Sequence, residues 1–142
     1  MTSPAEHMSE ALSLARKGLL TTRPNPMVGC VITHNEKIIG RGWHEKSGDN
    51  HAEINAIHDV LKNLGSNAES ALENSEMYVT LEPCMMCAGA IIHARISRLV
   101  YATSDEKTGF INSRNNLDEN GWLNHKLNIT SGILDRECSK LI

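Results

Sequence analysis

The chain has 142 residues, of which 40% are hydrophobic and 4% aromatic, and its formal net charge is −3. This length suits a single domain, residues 1–142, that buries a core without disulfide bonds. Four cysteines, no long apolar stretch and no charged-then-apolar leader predict a soluble protein of the reducing cytoplasm with no membrane segment.

The N-terminal part predicts a helix followed by a β-hairpin. Ser3, Pro4 and Glu6 form a helix-start pattern, and apolar residues then recur at helical spacing until Gly18 allows the helix to end. The recurring residues are Met8, Ala11, Leu12, Ala15 and Leu19. Residues 28–33 and 37–43 are apolar, β-branched runs joined by a polar turn, which is typical of a hairpin.

The rest of the chain alternates helices and strands. We predict a helix over 51–64, a surface loop over 66–75, a strand over 77–81, a helix over 84–95 and a strand over 98–102. A further strand near 127–131 and a short helix from Leu134 follow. Two strand and helix alternations in a row favour parallel pairing with right-handed crossovers. The pattern predicts an α/β fold with its site at the carboxyl edge of the sheet.

Two short motifs carry chemistry, since residues 51–53 read His-Ala-Glu and residues 83–87 read Pro-Cys-Met-Met-Cys. The imidazole of His51 and the thiolates of Cys84 and Cys87 can occupy three corners of a zinc tetrahedron and leave the fourth open for water. If a helix starts at Pro83, both sulfurs project from one face of its first turn. His51 must then lie at the irregular start of its own helix to share the site with Glu53. We predict one Zn²⁺ per chain.

Glu53 is a carboxylate placed beside the open position on that metal. Zinc lowers the pKa of bound water from about 15.7 toward roughly 7 to 9, which makes hydroxide available near neutral pH. Glu53 can take the released proton and pass it to a leaving group without binding the metal itself. The motif therefore predicts a hydrolytic enzyme in which Glu53 is catalytic.

Other interpretations of these residues stay open. A Cys-x-x-Cys pair alone also occurs as a redox pair or as half of a structural zinc site, and a closed structural site needs a fourth ligand. Cys30 and Cys138 are expected to be small buried or surface thiols. A non-catalytic zinc-stabilised binding domain is the alternative from another class of protein, and the spare carboxylate of Glu53 argues against it.

The two motifs together resemble the signature of the zinc-dependent cytidine and nucleobase deaminase superfamily. The resemblance covers nearly all of the chain. It implies a three-layer cytidine-deaminase-like fold, with a mixed central sheet of about five strands and helices on both faces, often as a homodimer. It also implies zinc on His51, Cys84 and Cys87, proton shuttling by Glu53, and a pocket lined by the backbone of Ala52 and Cys84. The implied reaction is attack on an amine-bearing ring carbon with loss of ammonia.

The two halves of the chain resemble different members of this superfamily. Residues 78–96, 105–109 and 124–134 are similar to bacterial tRNA adenosine deaminases. Residues 23–32 and 42–53 are similar to the pyrimidine deaminase domain of riboflavin biosynthesis. The second likeness implies that Asn25 and His44 contact the substrate. Their alternatives are a turn residue between two prolines for Asn25 and a surface loop histidine for His44.

The sequence also departs from both relatives. The riboflavin-pathway enzymes usually have a longer insertion between their cysteines, which holds the substrate phosphate, and a reductase domain, and we expect neither here. The tRNA enzymes have a longer loop before the His-x-Glu motif and a basic helical tail, and we expect neither feature here.

Composition favours a small substrate over nucleic acid. The net charge of −3 and the few aromatic residues give little material for binding phosphates or stacking bases. Five basic residues could still gather on one face, namely Arg95, Arg98, Lys107, Arg114 and Lys126. We predict a free nucleobase-like pyrimidine or purine derivative as substrate, with a tRNA wobble-adenosine deaminase as the alternative.

Overall fold

The structure is a computed structural model that describes residues 3–114 and 127–141. Its strands are β1 (Gly29–His34), β2 (Lys37–Trp43), β3 (Ser75–Leu81), β4 (Arg98–Thr103) and β5 (Asn128–Ser131). Its α-helices are α1 (Pro4–Ala15), α2 (Ala52–Leu64), α3 (Ala68–Glu73), α4 (Met85–Ala94) and α5 (Asp135–Ser139). The five strands form one sheet in the order β2-β1-β3-β4-β5.

The sheet is mixed, and its strand directions bring two helix starts to one edge. β1 pairs antiparallel with both β2 and β3, whereas β3, β4 and β5 pair in parallel. Because β2 and β3 are both antiparallel to β1, they run in the same direction. α2 follows β2 and α4 follows β3, so both helices begin at the carboxyl edge of the sheet, as predicted.

Helices cover both faces of the sheet and produce three layers. Successive strand residues point to opposite faces, so Val31, Tyr78 and Val100 pack with α1 while their neighbours pack with α2, α3 and α4. The buried strand residues on the second face are Cys30, Ile32, Met77, Val79, Leu99 and Tyr101. The predicted three-layer fold with a mixed five-stranded sheet is therefore confirmed.

A glycine in β2 lets the start of α2 lie directly on the sheet. A Cβ atom on Gly42 would lie 2.4 Å from the carbonyl oxygen of Ala52 and 2.4 Å from the amide nitrogen of Ala56. Both distances are far below van der Waals contact, so only a residue without a side chain fits there. This close approach fixes the height of the first turn of α2 above the sheet.

The first helix begins where the sequence predicts, but its apolar face ends earlier. The Ser3 hydroxyl accepts a hydrogen bond from the amide of Glu6 at 3.2 Å, with Pro4 in the first turn. α1 ends at Ala15 and a short 3-10 turn continues to Gly18. Leu19, predicted to lie on the helix face, is instead 58% exposed. The prediction for Leu19 is wrong because the helix has ended before it.

The prediction of a surface loop over residues 66–75 is also wrong. A 3-10 turn over Gly65–Asn67 leads into α3, and β3 begins at Ser75. Ala68, Ala71 and Leu72 are buried on one side of this short helix. Polar residues outnumber these apolar positions, so the composition of the segment suggested a loop. The three apolar residues nevertheless form one face of a short helix that packs against the core.

The C-terminal part agrees with the sequence where it is described. β5 and α5 occupy the positions predicted for the last strand and the last helix. Lys126 and residues 124–126 of the tract that resembles tRNA deaminases lie outside the described residues. No helix in the described ranges is long and apolar enough to cross a membrane.

Candidate active site

The motif residues lie at the starts of the two helices that share the carboxyl edge. His51 is the N-cap of α2 with an extended backbone (φ −69°, ψ 161°), and Cys84 is the N-cap of α4 (φ −78°, ψ 176°). The extended conformation of His51 breaks the helical spacing, so its ring and the Glu53 side chain reach the same pocket. Cys87 follows in the first turn of α4 and is fully buried.

The imidazole and the two thiols come together at distances that suit a metal ion. Nδ1 of His51 lies 3.6 Å from Sγ of Cys84 and 3.5 Å from Sγ of Cys87, and all three atoms lie within 4.8 Å of one another. Tetrahedral zinc, with Zn–S bonds of about 2.3 Å and Zn–N bonds of about 2.0 Å, separates nitrogen and sulfur ligands by about 3.6 Å. These three residues can therefore hold zinc.

The protonation of this group reflects the proximity of its members. Hydrogen bonds with Cys87 and then His51 lower the pKa of Cys84 to about 3. The hydrogen bond with Cys84, followed by burial, raises the pKa of Cys87, and the bond with Cys84 also raises the pKa of His51. The lowered pKa of Cys84 favours its thiolate, which is the form that binds zinc.

Glu53 lies beside this group and is not one of its members. It is only 4% exposed and lines the same pocket as His51 and Cys84. Burial raises the pKa of Glu53 to about 7, while its own backbone amide and His51 act in the opposite direction. A carboxyl group with a pKa near neutrality can both accept and release a proton under ordinary conditions.

A pocket of about 770 Å³ opens next to the metal-binding group. Its lining includes residues 24–26, His44 and residues 104–108. Asn25, His44, Ala52 and Cys84, which the resemblance implies as substrate contacts, all lie in its wall. A cavity of this size accommodates a ring compound with substituents.

His44 presents an unsatisfied nitrogen in this part of the molecule. Its side chain is 4% exposed, Nδ1 lies 3.1 Å from the carbonyl oxygen of Asn50, and its Nε2 has no hydrogen-bond partner among the described residues. The ring meets that of His51 edge-on, with centroids 5.7 Å apart. Because Nδ1 must donate to the carbonyl, neutral His44 keeps its acceptor on Nε2. The alternative of a surface loop histidine is wrong.

Asn25 lies in a turn and also lines the pocket. Its amide nitrogen donates to the carbonyl oxygen of Thr22 at 2.8 Å, which closes a turn. Its exposed side chain donates from Nδ2 to the Ser47 hydroxyl at 3.4 Å. This second bond is long, so the side-chain amide is available to other partners in the pocket.

A family model described as "Cytidine and deoxycytidylate deaminase zinc-binding region" matches residues 1–103. This match includes both motifs and more than half of the 142 residues. The chain belongs to this family.

Named relatives of this deaminase-family chain divide between two activities. The "tRNA-specific adenosine deaminase" of Haemophilus influenzae is 47% identical over 118 residues, which are 80% of this chain and 66% of the relative. The "Riboflavin biosynthesis protein RibD" of Buchnera aphidicola subsp. Baizongia pistaciae is 41% identical over 144 aligned positions, covering 95% of this chain and 35% of the relative. The chain thus spans less than two thirds of either protein.

A solved structure supports the same fold. A structure from a study of A-to-I editing by tRNA:A34 deaminases has a TM-score of 0.80 and 32% identity, and the match covers 96% of this chain and 98% of the other. The prediction of a member of the zinc-dependent deaminase superfamily, a group of hydrolases that act on carbon–nitrogen bonds, is confirmed.

Sequence reasoning did not single out Glu82, which lines the pocket and is only 3% exposed. Burial alone would raise the pKa of Glu82, but hydrogen bonds from the Ser113 hydroxyl and from the amides of Asn112, Ser113 and Asp105 lower it below its ordinary value. The available signal was a charged residue directly after a largely buried strand.

Two members of the predicted basic cluster face carboxylates. Arg95 lies 3.7 Å from a carboxylate oxygen of Glu73, and Arg98 lies 3.3 Å from one of Glu76. Lys107 lines the pocket, and Arg114 donates from Nε to the carbonyl oxygen of Lys107 at 3.0 Å. Lys126 lies outside the described residues.

Proposed function

We propose that the chain is a zinc-dependent deaminase that replaces a ring amino group of a free nucleobase-like pyrimidine or purine derivative by oxygen and releases ammonia. The observation that carries the proposal is the convergence of three metal-ligand atoms on a pocket that also contains the buried carboxyl of Glu53. A closed structural zinc site would need a fourth protein ligand and has no use for a spare carboxyl group.

The residues of the site would have two roles in the reaction, metal binding and proton transfer. Zinc held by His51, Cys84 and Cys87 would supply Lewis acidity that brings the pKa of water toward about 7. The Glu53 carboxylate would accept a proton and deliver it to the departing amino nitrogen. Its pKa of about 7 suits both steps, because neither the charged nor the neutral form is strongly favoured near neutral pH.

Two side chains of the pocket lining would recognise the ring. Nε2 of His44 is buried and has no partner in the part of the chain that the structure describes, and a substrate N–H or O–H group would satisfy it. The side-chain amide of Asn25 can donate and accept along a ring edge. The backbone of Ala52 and Cys84 would line the position of the reacting carbon. These contacts orient a small substrate without using any group outside the pocket.

The charges near the pocket favour a small substrate over tRNA. Asp105 and Glu106 line the pocket beside Lys107 and bring more negative than positive charge to that wall. Arg95 and Arg98 already face carboxylates. A protein that binds nucleic acid gains affinity by neutralising phosphates, and these residues offer little for that purpose.

A tRNA wobble-adenosine deaminase is the second candidate function. It is favoured by the 47% identity to the Haemophilus influenzae relative, whose name states that substrate. The homodimer implied by the resemblance and a cytoplasmic location both stay predictions.

A substrate panel separates the two functions. Zinc-loaded protein would be assayed for ammonia release from free bases, nucleosides, nucleotides and the riboflavin-pathway pyrimidine, and for inosine formation in tRNA. We expect turnover of a small compound. His44→Phe, which keeps a ring and removes the acceptor, should raise its KM by about 3- to 10-fold. His93→Phe, at an exposed position of α4, is the control. Turnover of tRNA alone would contradict the proposed substrate.

A further inference from the structure

The carboxylate of Glu82 accepts five hydrogen bonds from one segment of the chain. Oε1 accepts from the amide of Asp105 at 3.1 Å and from the hydroxyl of Ser113. Oε2 accepts from the amides of Ile111 at 3.1 Å, Asn112 at 2.8 Å and Ser113 at 2.9 Å. A carboxylate offers about four lone-pair positions, so these donors use its whole capacity. No acceptor position is left for a substrate or for proton transfer.

The five donors belong to residues 105–113, which we name the wall segment. Residues 105–108 of this segment line the pocket. Its middle pairs with a metal-ligand residue, because Gly109 forms an isolated antiparallel bridge with Cys84 and the amide of Phe110 donates to the carbonyl of Pro83 at 2.8 Å. The wall segment therefore contacts both the substrate space and the backbone that carries Cys84.

Several contacts hold the wall segment against the sheet. The side-chain amide of Asn112 donates to the Tyr101 hydroxyl at 2.7 Å, Ile111 is fully buried in the core, and Glu82 accepts hydrogen bonds from both ends of the segment. Asp105 accepts from the amides of Lys107 at 3.1 Å and Thr108 at 3.2 Å, which shapes the turn. These bonds stay within the segment. Glu82, at the end of β3, joins the two ends of the turn to the sheet, since its partners lie at Asp105 and at residues 111–113.

We propose that Glu82 is a positioning residue that fixes the wall segment as one side of the substrate pocket. Hydrogen bonds to an ionised carboxylate are about twice as strong as neutral ones, and five of them, four from amides and one from a hydroxyl, restrain the segment in one place. Supporting contacts of this kind keep a binding constellation within the narrow tolerance that catalysis needs. The effect on substrate rests on the proposed deaminase function, whereas the restraint on the wall segment does not.

Glu82→Gln tests the restraint with little change in side-chain volume. The new –NH₂ group cannot accept, so it should occupy the Oε1 position, where the Ser113 hydroxyl can rotate and become the acceptor. The amide of Asp105 has no such freedom and would face a donor. Hydrogen exchange followed by mass spectrometry should show amides near Asp105 exchanging at least about tenfold faster, with a smaller change at 111–113.

Glu76→Gln is the matched control. Glu76 is also a carboxylate on β3, but its partners are Tyr78 and Arg98 and it does not line the pocket. Its substitution should leave exchange of the wall segment unchanged. Ser113→Ala is a milder second variant that removes one donor and keeps the carboxylate, so it remains informative if Glu82→Gln folds poorly.

Kinetics on the accepted substrate separate positioning from simple loss of folded protein. Rates would be normalised to bound zinc, so that unfolded molecules do not count. Positioning predicts that Glu82→Gln raises KM by about tenfold with bound zinc retained, and that Ser113→Ala raises it less. A residue needed only for stability would reduce the number of active sites and leave KM unchanged.

Two results would overturn the inference. One is unchanged exchange at Asp105 in Glu82→Gln. The other is exchange that accelerates equally throughout the molecule, which would indicate general destabilisation. Because exchange needs no substrate, these outcomes are independent of the deaminase assignment. A failed substrate panel with selective exchange near Asp105 would reject the proposed function and keep the restraint.

Discussion

Two buried glutamates line the same pocket, and the pKa values of their carboxyl groups are shifted in opposite directions. Glu53 and Glu82 are 4% and 3% exposed, so both side chains are almost fully shielded from solvent. Burial raises the pKa of Glu53 to about 7, whereas the pKa of Glu82 is lowered because its five donors outweigh burial. The comparison teaches that the number of N–H and O–H groups facing a carboxylate decides whether it is a mobile proton carrier or a fixed anion.

Removing a metal ligand should have the largest effect on activity. The catalytic role of Glu53 depends on a metal beside it, whereas the role of Glu82 does not. Cys87→Ala should lose bound zinc and all turnover, because two remaining protein ligands do not make a stable zinc site. Metal analysis after dialysis against a chelator measures this. Cys138→Ala, another buried thiol far along the chain, should keep its zinc. Zinc retained by Cys87→Ala would show that the ligand group is assigned wrongly.

Glu53→Gln should separate proton transfer from metal binding. We expect turnover to fall by roughly 10³-fold while zinc content stays the same, because the variant keeps the volume of the side chain and loses its basicity. Ammonia release and metal analysis on the same sample measure both quantities. A parent protein that turns over no amine substrate, combined with a zinc-loaded variant, would favour the non-catalytic binding domain.

Gly109→Ala should disturb the Glu82 carboxylate by adding a side chain to the wall segment that surrounds it. The added Cβ would lie 2.4 Å from the carboxyl carbon of Glu82 and 2.5 Å from the carbonyl oxygen of Asp105. We expect a loss of about 1–3 kcal/mol in the free energy of unfolding, measured in urea. Gly89→Ala is the control, because an added Cβ there meets nothing within 4 Å and the position is helical. Equal stability of the two variants would argue against tight packing at Gly109.

Asp105 extends the comparison to a third carboxylate and should show the smallest effect. Burial would raise its pKa, but hydrogen bonds from the hydroxyl and amide of Thr108 and the amide of Lys107 lower it. A lowered pKa contributes stability above the unfolded value of about 3.9, and this contribution disappears as the pH falls through the folded value. The stability difference between parent and Asp105→Asn, measured in urea, should therefore shrink below about pH 4. A constant difference would contradict this.

The sequence predicted those parts of the fold and site that depend on short-range pattern. Apolar, β-branched runs identified the strands, and Ser3 and Pro4 identified the first helix start. The convergence of His51, Cys84 and Cys87 followed from two helices beginning at one sheet edge. Each of these features is encoded by a pattern of a few neighbouring residues. The strand directions then determine which patterns meet at one edge of the sheet.

What the sequence did not reveal depends on distant backbone groups. The partners of Glu82 lie 23 to 31 residues further along the chain and are mostly amides, which every residue possesses. No residue type marks them. The burial of His44 likewise depends on how its loop folds over the pocket and cannot be read from its neighbours.

The backbone bridge between Cys84 and Gly109 connects a metal-ligand residue with the segment that lines the substrate pocket. A displacement of the Cys84 backbone on metal loading would therefore reach the segment that faces the substrate. If the two events are coupled in this way, the coupling is reciprocal, and a ligand seated against that segment would change the affinity for the ion by the same factor. We expect substrate analogues to alter retention of the metal.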